Sequence, residues 1–323
     1  LMSDRSRMKT APLYADQINT SSASSSYWFQ ARDGVKLRIA AWKPEVSGNG
    51  TVLIFPGRTD FIEKLSHVAI DMCARGYSSL VIDWRGQGLS DRLTQNRIVS
   101  HVVRFSDYQS DVEAMIEAAE RLDMPKPWYL LGYSMGATIG LRSLVDGLKV
   151  DACAFTGPLW DIKLSAVERA VAWPLTGLAQ AFGKGQAFAP GNIPQRSQCY
   201  VLSVGFEGNR LTSDPGMFER MVSQAKALPE QQTGAPSMGW VFEGLKECRA
   251  LRGLPSPAIP CVTFCGEQDT VVDLAAIRQR MGRWPGGRLE MVSGARHDLL
   301  SEIPEVRARL LDQMTLVFSK TSG

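Results

Sequence analysis

Histidine and cysteine are both sparse in this chain, and their scarcity narrows the chemistry available to it. There are three histidines and six cysteines in 323 residues. The cysteines form no C-x-x-C pair and no cluster with histidine, so neither a zinc site nor a disulfide framework is predicted. We expect the cysteines to be buried among apolar residues, as is typical of a protein in a reducing compartment. No metal or organic cofactor is expected. The six are Cys73, Cys153, Cys199, Cys248, Cys261 and Cys265.

Net charge and long apolar runs are limited as well. The 36 basic and 33 acidic residues leave a net charge of +3, which gives no electrostatic reason to expect a nucleic-acid partner. No run approaches the roughly 20 apolar residues of a membrane-spanning helix. Residues 1–26 are polar and serine-rich, without the apolar core of a signal peptide. We therefore expect a cytoplasmic protein, and peripheral contact with the inner membrane stays open.

The chain does contain a regular alternation of strand-like and helix-like segments. Residues 36–42 alternate like a half-exposed edge strand, and continuous apolar runs predict buried strands. Helical spacing separates these runs, and the second helix is expected to begin with Ser106 as its N-cap. The alternation predicts an α/β fold with a mainly parallel sheet and helices on both faces. Buried strands are expected at residues 51–55, 79–83, 128–131, 152–155, 261–265 and 288–292, and helices near 62–75, 106–122, 137–148, 274–281 and 304–318.

Residues 157–260 interrupt this pattern. They hold no convincing buried strand, are rich in aromatic residues, and are too long for a loop inside a compact domain. We expect a mostly helical cap, residues 158–259, over the carboxyl ends of the strands, where open parallel sheets place their ligand sites. An additional helical layer without a role in the site is the alternative. The core would then comprise residues 27–157 and 260–320, after an N-terminal extension at residues 1–26.

The pentapeptide Gly132-Tyr133-Ser134-Met135-Gly136 has the form Gly-x-Ser-x-Gly. It lies between the apolar run at 128–131 and the helical segment at 137–148, the strand, turn and helix that a nucleophile elbow requires. Side chains at the two glycine positions would collide with the neighbouring strand or helix, and the sharp turn exposes the serine hydroxyl. Ser134 is therefore the candidate nucleophile.

A serine hydroxyl reacts only when a base takes its proton, and the base needs a carboxylate that fixes its tautomer. His297 is the candidate base, because it lies in a glycine-containing loop after the last predicted strand. His67 falls within a predicted helix and His101 in a loop, and both positions are read more simply as structural or surface sites.

The candidate carboxylate is Asp269, in the loop that directly follows a buried strand. Glu267 and Asp273 are close rivals. Asp273 is expected instead to begin a helix as an N-terminal acid, because it follows two valines and precedes helical spacing.

Acyl transfer also requires backbone donors for the oxyanion. The residue after the nucleophile, Met135, supplies the first. Arg58 is the natural second donor, because it follows Pro56-Gly57 at the end of a predicted strand and the glycine allows close backbone approach. A simple turn at this position is the alternative.

Three further stretches extend the motif set: Phe55-Pro56-Gly57-Arg58-Thr59-Asp60, Asp83-Trp84-Arg85-Gly86-Gln87-Gly88-Leu89-Ser90, and Arg104-Phe105-Ser106-Asp107-Tyr108. With the serine, aspartate and histidine in that chain order, they resemble the alpha/beta-hydrolase family, over residues 27–320. Within it the chain is similar to the bacterial lysophospholipases grouped with monoacylglycerol lipases. The Asp83 to Ser90 stretch is interpreted as architectural, without a catalytic group.

This resemblance implies a serine esterase that cleaves a carboxylic ester of a lipid-like substrate, most of all a lysophospholipid. Pro56-Gly57 stands where many relatives have His-Gly, which favours the lysophospholipase branch. Arg58 and Tyr133 are the residues expected to contact substrate, and the Arg58 guanidinium would pair with a phosphate. A monoacylglycerol lipase and a general carboxylesterase are the alternatives, followed by an acyltransferase and a non-catalytic binding protein that kept the fold.

Overall fold

The computed structural model describes residues 8–18, 23–46, 48–191 and 193–320. Eight strands form one sheet in the order β1-β2-β4-β3-β5-β6-β7-β8. β2 runs antiparallel to β1 and β4, and all other neighbours pair in parallel. The strands are β1 (Ala23–Gln30), β2 (Lys36–Lys43), β3 (Thr51–Phe55), β4 (Ser78–Asp83), β5 (Trp128–Tyr133), β6 (Ala152–Thr156), β7 (Cys261–Gly266) and β8 (Arg288–Val292). The predicted α/β fold is confirmed.

Helices cover both faces of this sheet. Alternate residues of β3 face two different apolar clusters, with Leu53 in one and Val52 in the other. α3, α4 and α9 pack on the first face, and α2 and α10 pack on the second. The α-helices in the described ranges are α1 (Ala15–Ile18), α2 (Ile62–Cys73), α3 (Tyr108–Arg121), α4 (Met135–Val145), α5 (Ala166–Ala181), α6 (Tyr200–Ser203), α7 (Pro215–Ala227), α8 (Met238–Gly253), α9 (Leu274–Met281) and α10 (Pro304–Ser319).

Two local predictions were wrong. β2 is not an edge strand, because β1 pairs with it along its whole length and forms that edge of the sheet. β1 begins at Ala23, within the serine-rich stretch that was assigned to the N-terminal extension. Ser106 is not an N-cap either: it lies inside the 3-10 turn Phe105–Asp107, and α3 begins after that turn.

The residues predicted to form a cap lie between β6 and β7 and contain α5 to α8. The stretch between α7 and α8 is attached to the loop after β4 by backbone hydrogen bonds. Gly234 N donates to Ile98 O at 2.7 Å, and Ser237 N donates to Ser100 O at 2.9 Å. Among the helices of the described ranges, none combines the length and apolar content needed to cross a bilayer.

Candidate active site

Ser134 occupies a strained turn between β5 and α4. Its backbone has φ 51° and ψ −116°, a conformation that L residues rarely adopt. Both flanking glycines are required by close packing. A Cβ at Gly136 would lie 2.0 Å from Phe55 O, and one at Gly132 would lie 2.8 Å from the Ala137 Cα. The predicted elbow geometry is therefore present.

Ser134, His297 and Asp269 form a continuous chain of hydrogen bonds. The serine Oγ lies 2.9 Å from His297 Nε2, and His297 Nδ1 lies 2.7 Å from Asp269 Oδ2. A carboxylate partner at Nδ1 fixes the proton on that nitrogen, so Nε2 accepts from the serine hydroxyl. Ser134 is 8% exposed and the other two are less so, so this chain of bonds is shielded from water.

Backbone amides hold the Asp269 carboxylate in its charged form. Its Oδ1 accepts from Val271 N at 2.7 Å and Val272 N at 3.3 Å. Burial raises the pKa of Asp269, but the hydrogen bond from His297 and these amides outweigh it, so the pKa lies below its usual value. The group is thus suited to stabilise a protonated His297.

The rival residues have other roles. Glu267 is exposed, and Asp273 caps α9 by accepting from the amides of the second and third residues of that helix. His67 is buried and bonded through both ring nitrogens to carbonyl oxygens, and His101 Nδ1 lies 2.7 Å from Ser237 Oγ. Both histidines are structural, and neither is a surface residue.

Two backbone amides beside the serine lack an acceptor. Met135 is the first residue of α4, and Arg58 follows β3 by three positions. Within the described ranges, neither N–H donates a hydrogen bond, whereas Gly57 N and Thr59 N on either side of Arg58 both do. Unpaired amides at these two positions are what an oxyanion hole requires.

The loop that carries Arg58 is held by two side chains. Asp60 Oδ2 accepts from Gly57 N at 2.8 Å. Gln87 donates to Gly57 O at 3.0 Å and to Asp60 O at 3.2 Å, and its Oε1 accepts from Thr59 N at 3.1 Å. These bonds fix the backbone on both sides of Arg58, including Thr59 at φ +70°.

The ammonium group of Lys64 connects the Arg58 loop to the loop that carries His297, which we call the histidine loop. Lys64 Nζ contacts Asp60 Oδ1 and lies 3.0 Å from Asp298 Oδ2. Burial lowers the pKa of Lys64, but the two neighbouring carboxylates raise it by more. The pKa therefore lies above its usual value and the group is charged. Burial raises the pKa of Asp60, and Lys64 offsets only part of that effect. We call Asp60, Lys64 and Asp298 the ion bridge.

The Arg58 side chain extends under α8. It donates to Gly234 O at 2.8 Å, and its Cζ lies 5.3 Å from the centre of the Trp240 ring. No carboxylate of the described ranges forms an ion pair with it. Burial lowers the pKa of Arg58 to about 10, which still leaves a positive charge at neutral pH. A half-buried cation that forms no ion pair favours an anionic ligand.

Tyr133 takes a different position from the one expected of a substrate contact. The side chain is 3% exposed. Its ring centre lies 5.4 Å from that of His297 and 5.5 Å from Lys64 Nζ. A Cβ on Gly57 would come within 3.0 Å of the ring. Tyr133 therefore packs between the loop that carries Arg58 and His297, where it supports both.

Sequence reasoning missed Gln87 and the ion bridge. Gln87 belongs to the stretch after β4 that was interpreted as architectural, and Asp83 fits that interpretation because it bonds Arg38 Nε at 2.7 Å and the amides of Ile62 and Leu89. The available signal was topological: β4 is the neighbour of β3, so the loops at their carboxyl ends meet.

Comparisons with known proteins agree with this architecture. The family model "Serine aminopeptidase, S33" (Hydrolase_4) matches residues 47–304. The chain is 28% identical over 307 residues to "Lysophospholipase L2" of Escherichia coli, covering 90% of this chain and 86% of that protein. It is 26% identical over 271 residues to "Probable lysophospholipase L2" of Haemophilus influenzae, with 83% of each covered.

Solved structures share the fold at lower identity. A soluble variant of monoglyceride lipase from Saccharomyces cerevisiae aligns with TM-score 0.70 and 17% identity, over 91% of this chain and 94% of that one. A thermostable carboxyl esterase from Bacillus coagulans aligns with TM-score 0.73 and 14% identity, over 93% and 99%. The family model covers most of the length of this chain. The chain is therefore an ester hydrolase that belongs to the serine aminopeptidase S33 (Hydrolase_4) family of alpha/beta-hydrolases.

Proposed function

We propose that this protein is a lysophospholipase that works through an acyl-enzyme on Ser134. The observation that carries the proposal is the bonded chain of Ser134, His297 and Asp269 beside two unpaired amides and a half-buried arginine, Arg58, that forms no ion pair. The first two features serve ester hydrolysis in general. The third favours a substrate with a phosphate, and the curated relatives named lysophospholipases support the same choice.

In the first half-reaction Ser134 Oγ attacks the acyl carbonyl while His297 Nε2 takes its proton. Asp269 stabilises the imidazolium, and the amides of Met135 and Arg58 donate to the oxyanion. His297 then gives the proton to the departing glycerol oxygen, which leaves the acyl group on the serine. In the second half-reaction His297 deprotonates a water, the water attacks the acyl carbon, and the proton returns to Ser134.

The Arg58 side chain provides selectivity. In a lysophospholipid the phosphate is separated from the ester oxygen by the three glycerol carbons, a distance that the side chain of a residue in the oxyanion loop can reach. Residues 158–259 act as a cap that covers the acyl chain, which would contribute about 0.8 kcal/mol per buried methylene. Because such substrates reside in membranes, the proposal also places the enzyme at the periphery of the inner membrane.

A substrate panel tests the assignment. Lysophospholipids, monoacylglycerols and nitrophenyl esters of matched chain length are assayed with the wild type, Arg58→Met and Arg58→Lys. Arg58→Met should lower kcat/KM for lysophospholipid by about tenfold or more relative to monoacylglycerol, and Arg58→Lys should lose less because it keeps the charge. The backbone amide is retained in both variants.

A change in preference below twofold in Arg58→Met would contradict the phosphate contact. Higher wild-type activity on monoacylglycerol would favour a monoacylglycerol lipase. An optimum on short esters would indicate a general carboxylesterase, and acyl transfer to an added alcohol in preference to water would indicate an acyltransferase.

A further inference from the structure

The outer face of α5 is apolar and uncovered. Of the ten large apolar side chains that are exposed in the described ranges, five belong to α5 and its C-cap, and they are between 38% and 76% exposed. Their spacing of four, four, three and four residues places them along one stripe of the helix. These five are Val167, Val171, Leu175, Leu178 and Phe182. We call this stripe the α5 face.

The opposite side of α5 explains why the stripe points outward. Trp173 packs edge to face on Phe242 of α8, with ring centres 5.8 Å apart, and a Cβ at Gly177 would lie 3.2 Å from the same ring. Thr176 is the one residue of α5 that is buried. The helix is therefore attached to α8 along a narrow contact, and the α5 face has no cover within the described ranges.

Charged residues around the α5 face are mostly basic. Residues 170–182 contain no charged side chain, which gives an uncharged length of about 20 Å along the helix. The wider segment 162–206 holds four basic residues and one acidic residue, and one of the four, Arg169, pairs with Asp161 at 3.1 Å. Lys163 and Lys184 lie just beyond the two ends of the stripe, are exposed, and form no ion pair within the described ranges.

We infer that the α5 face docks on an anionic phospholipid bilayer. An interfacial helix needs an apolar stripe to enter the acyl region and cations beside it to meet anionic head groups, and α5 supplies both. α5 packs on α8, and Trp240 of α8 contacts Arg58 of the site. The α5 face therefore lies on the side of this helix pair that points away from the site. Docking here would bring the cap to the membrane that holds the substrate; this functional consequence rests on the proposed lysophospholipase activity.

Vesicle flotation tests the inference with the full chain. The inactive variant Ser134→Ala is mixed with vesicles of phosphatidylcholine alone or with added phosphatidylglycerol, without lysophospholipid. Binding should be stronger with phosphatidylglycerol. Adding Leu178→Glu should weaken it by about tenfold, because the leucine no longer enters the acyl region.

Leu316→Glu is the matched control. Leu316 is 60% exposed on α10 and Leu178 is 57% exposed on α5, so the two substitutions change equally exposed leucines. In the active background both variants should hydrolyse a soluble nitrophenyl ester as the wild type does, which shows that the fold and the site are intact.

Three results would overturn the inference: no binding to phosphatidylglycerol vesicles, equal loss of binding in Leu178→Glu and Leu316→Glu, or a dimer in solution that only Leu178→Glu dissociates. The last would assign the face to a second copy of this chain. Failure of the proposed function gives a different result. A protein that binds the vesicles but does not hydrolyse micellar lysophospholipid would have the docking face without lysophospholipase activity.

Discussion

Removing the ammonium group of the ion bridge should damage both stability and catalysis. Lys64 is 12% exposed by side chain, and the carboxylates of Asp60 and Asp298 are 3% and 2% exposed. In Lys64→Met these two carboxylates would be left buried without a cation. Breaking a buried ion pair in this way costs about 3–5 kcal/mol, so we expect a loss of that size in the free energy of unfolding.

Catalysis should fall because Asp60 also holds Gly57 N, next to the oxyanion amide of Arg58. Without Lys64, the pKa of Asp60 should rise further and the carboxyl should take up a proton, which weakens that bond. We expect kcat for a soluble nitrophenyl ester to decrease by about tenfold or more, with KM nearly unchanged, because the oxyanion forms only in the transition state.

Urea denaturation and steady-state kinetics measure the two effects. Arg32→Met is the control, because Arg32 pairs with Glu113 at 3.4 Å and the two side chains are 71% and 54% exposed, a surface pair worth about 1 kcal/mol or less. The double variant Lys64→Met/Asp298→Asn should recover part of the stability, since it removes one uncompensated carboxylate. If Lys64→Met were no more destabilising than Arg32→Met and kept its kcat, the reasoning about the ion bridge would be refuted.

Three further changes have defined outcomes. Gln87→Ala should lower kcat by about tenfold or more, since three hydrogen bonds to the oxyanion loop are lost; an unchanged kcat would contradict it. Gly136→Ala should cost several kcal/mol in urea denaturation because its Cβ would lie 2.0 Å from Phe55 O, whereas Gly253→Ala meets no atom within 4 Å and should be nearly neutral. Because the folded pKa of Asp269 is below its usual value, its stabilisation is present above about pH 4 and is lost as the pH falls through the folded pKa; Asp269→Asn should therefore show a shallower loss of stability in acid, and an equal loss would argue against this linkage.

The strands and helices that could be predicted are those whose signal is local. β3 and β7 are continuous apolar runs between turn residues, and α9 begins at an aspartate cap that the sequence indicates. β1 was not predicted, and its first four residues, Ala-Ser-Ser-Ser, have low strand propensity. Its pairing with β2 determines the strand, and that tertiary contact overrides local preference.

The residues of the site likewise divide into those that the sequence indicates locally and those that only tertiary packing brings together. Ser134, Asp269 and His297 could be proposed because each follows a strand, and the carboxyl ends of parallel strands meet at one edge of the sheet. The ion bridge could not be proposed, since Lys64 and Asp298 are 234 positions apart in the sequence and meet only through the packing of α2 against the histidine loop. Similarly, the contact of Arg58 with Gly234 depends on how the stretch between α7 and α8 is attached to the loop after β4.

Covalent labelling tests the central claim, an acyl-enzyme on Ser134, most directly. The folded protein is treated with a fluorophosphonate, and the modified residue is located by mass spectrometry of its peptides. The account predicts one adduct, on Ser134, that is absent from Ser134→Ala and strongly slowed in His297→Ala, because the hydroxyl then lacks its base. An unlabelled wild type, or an adduct on another residue that persists in Ser134→Ala, would contradict it.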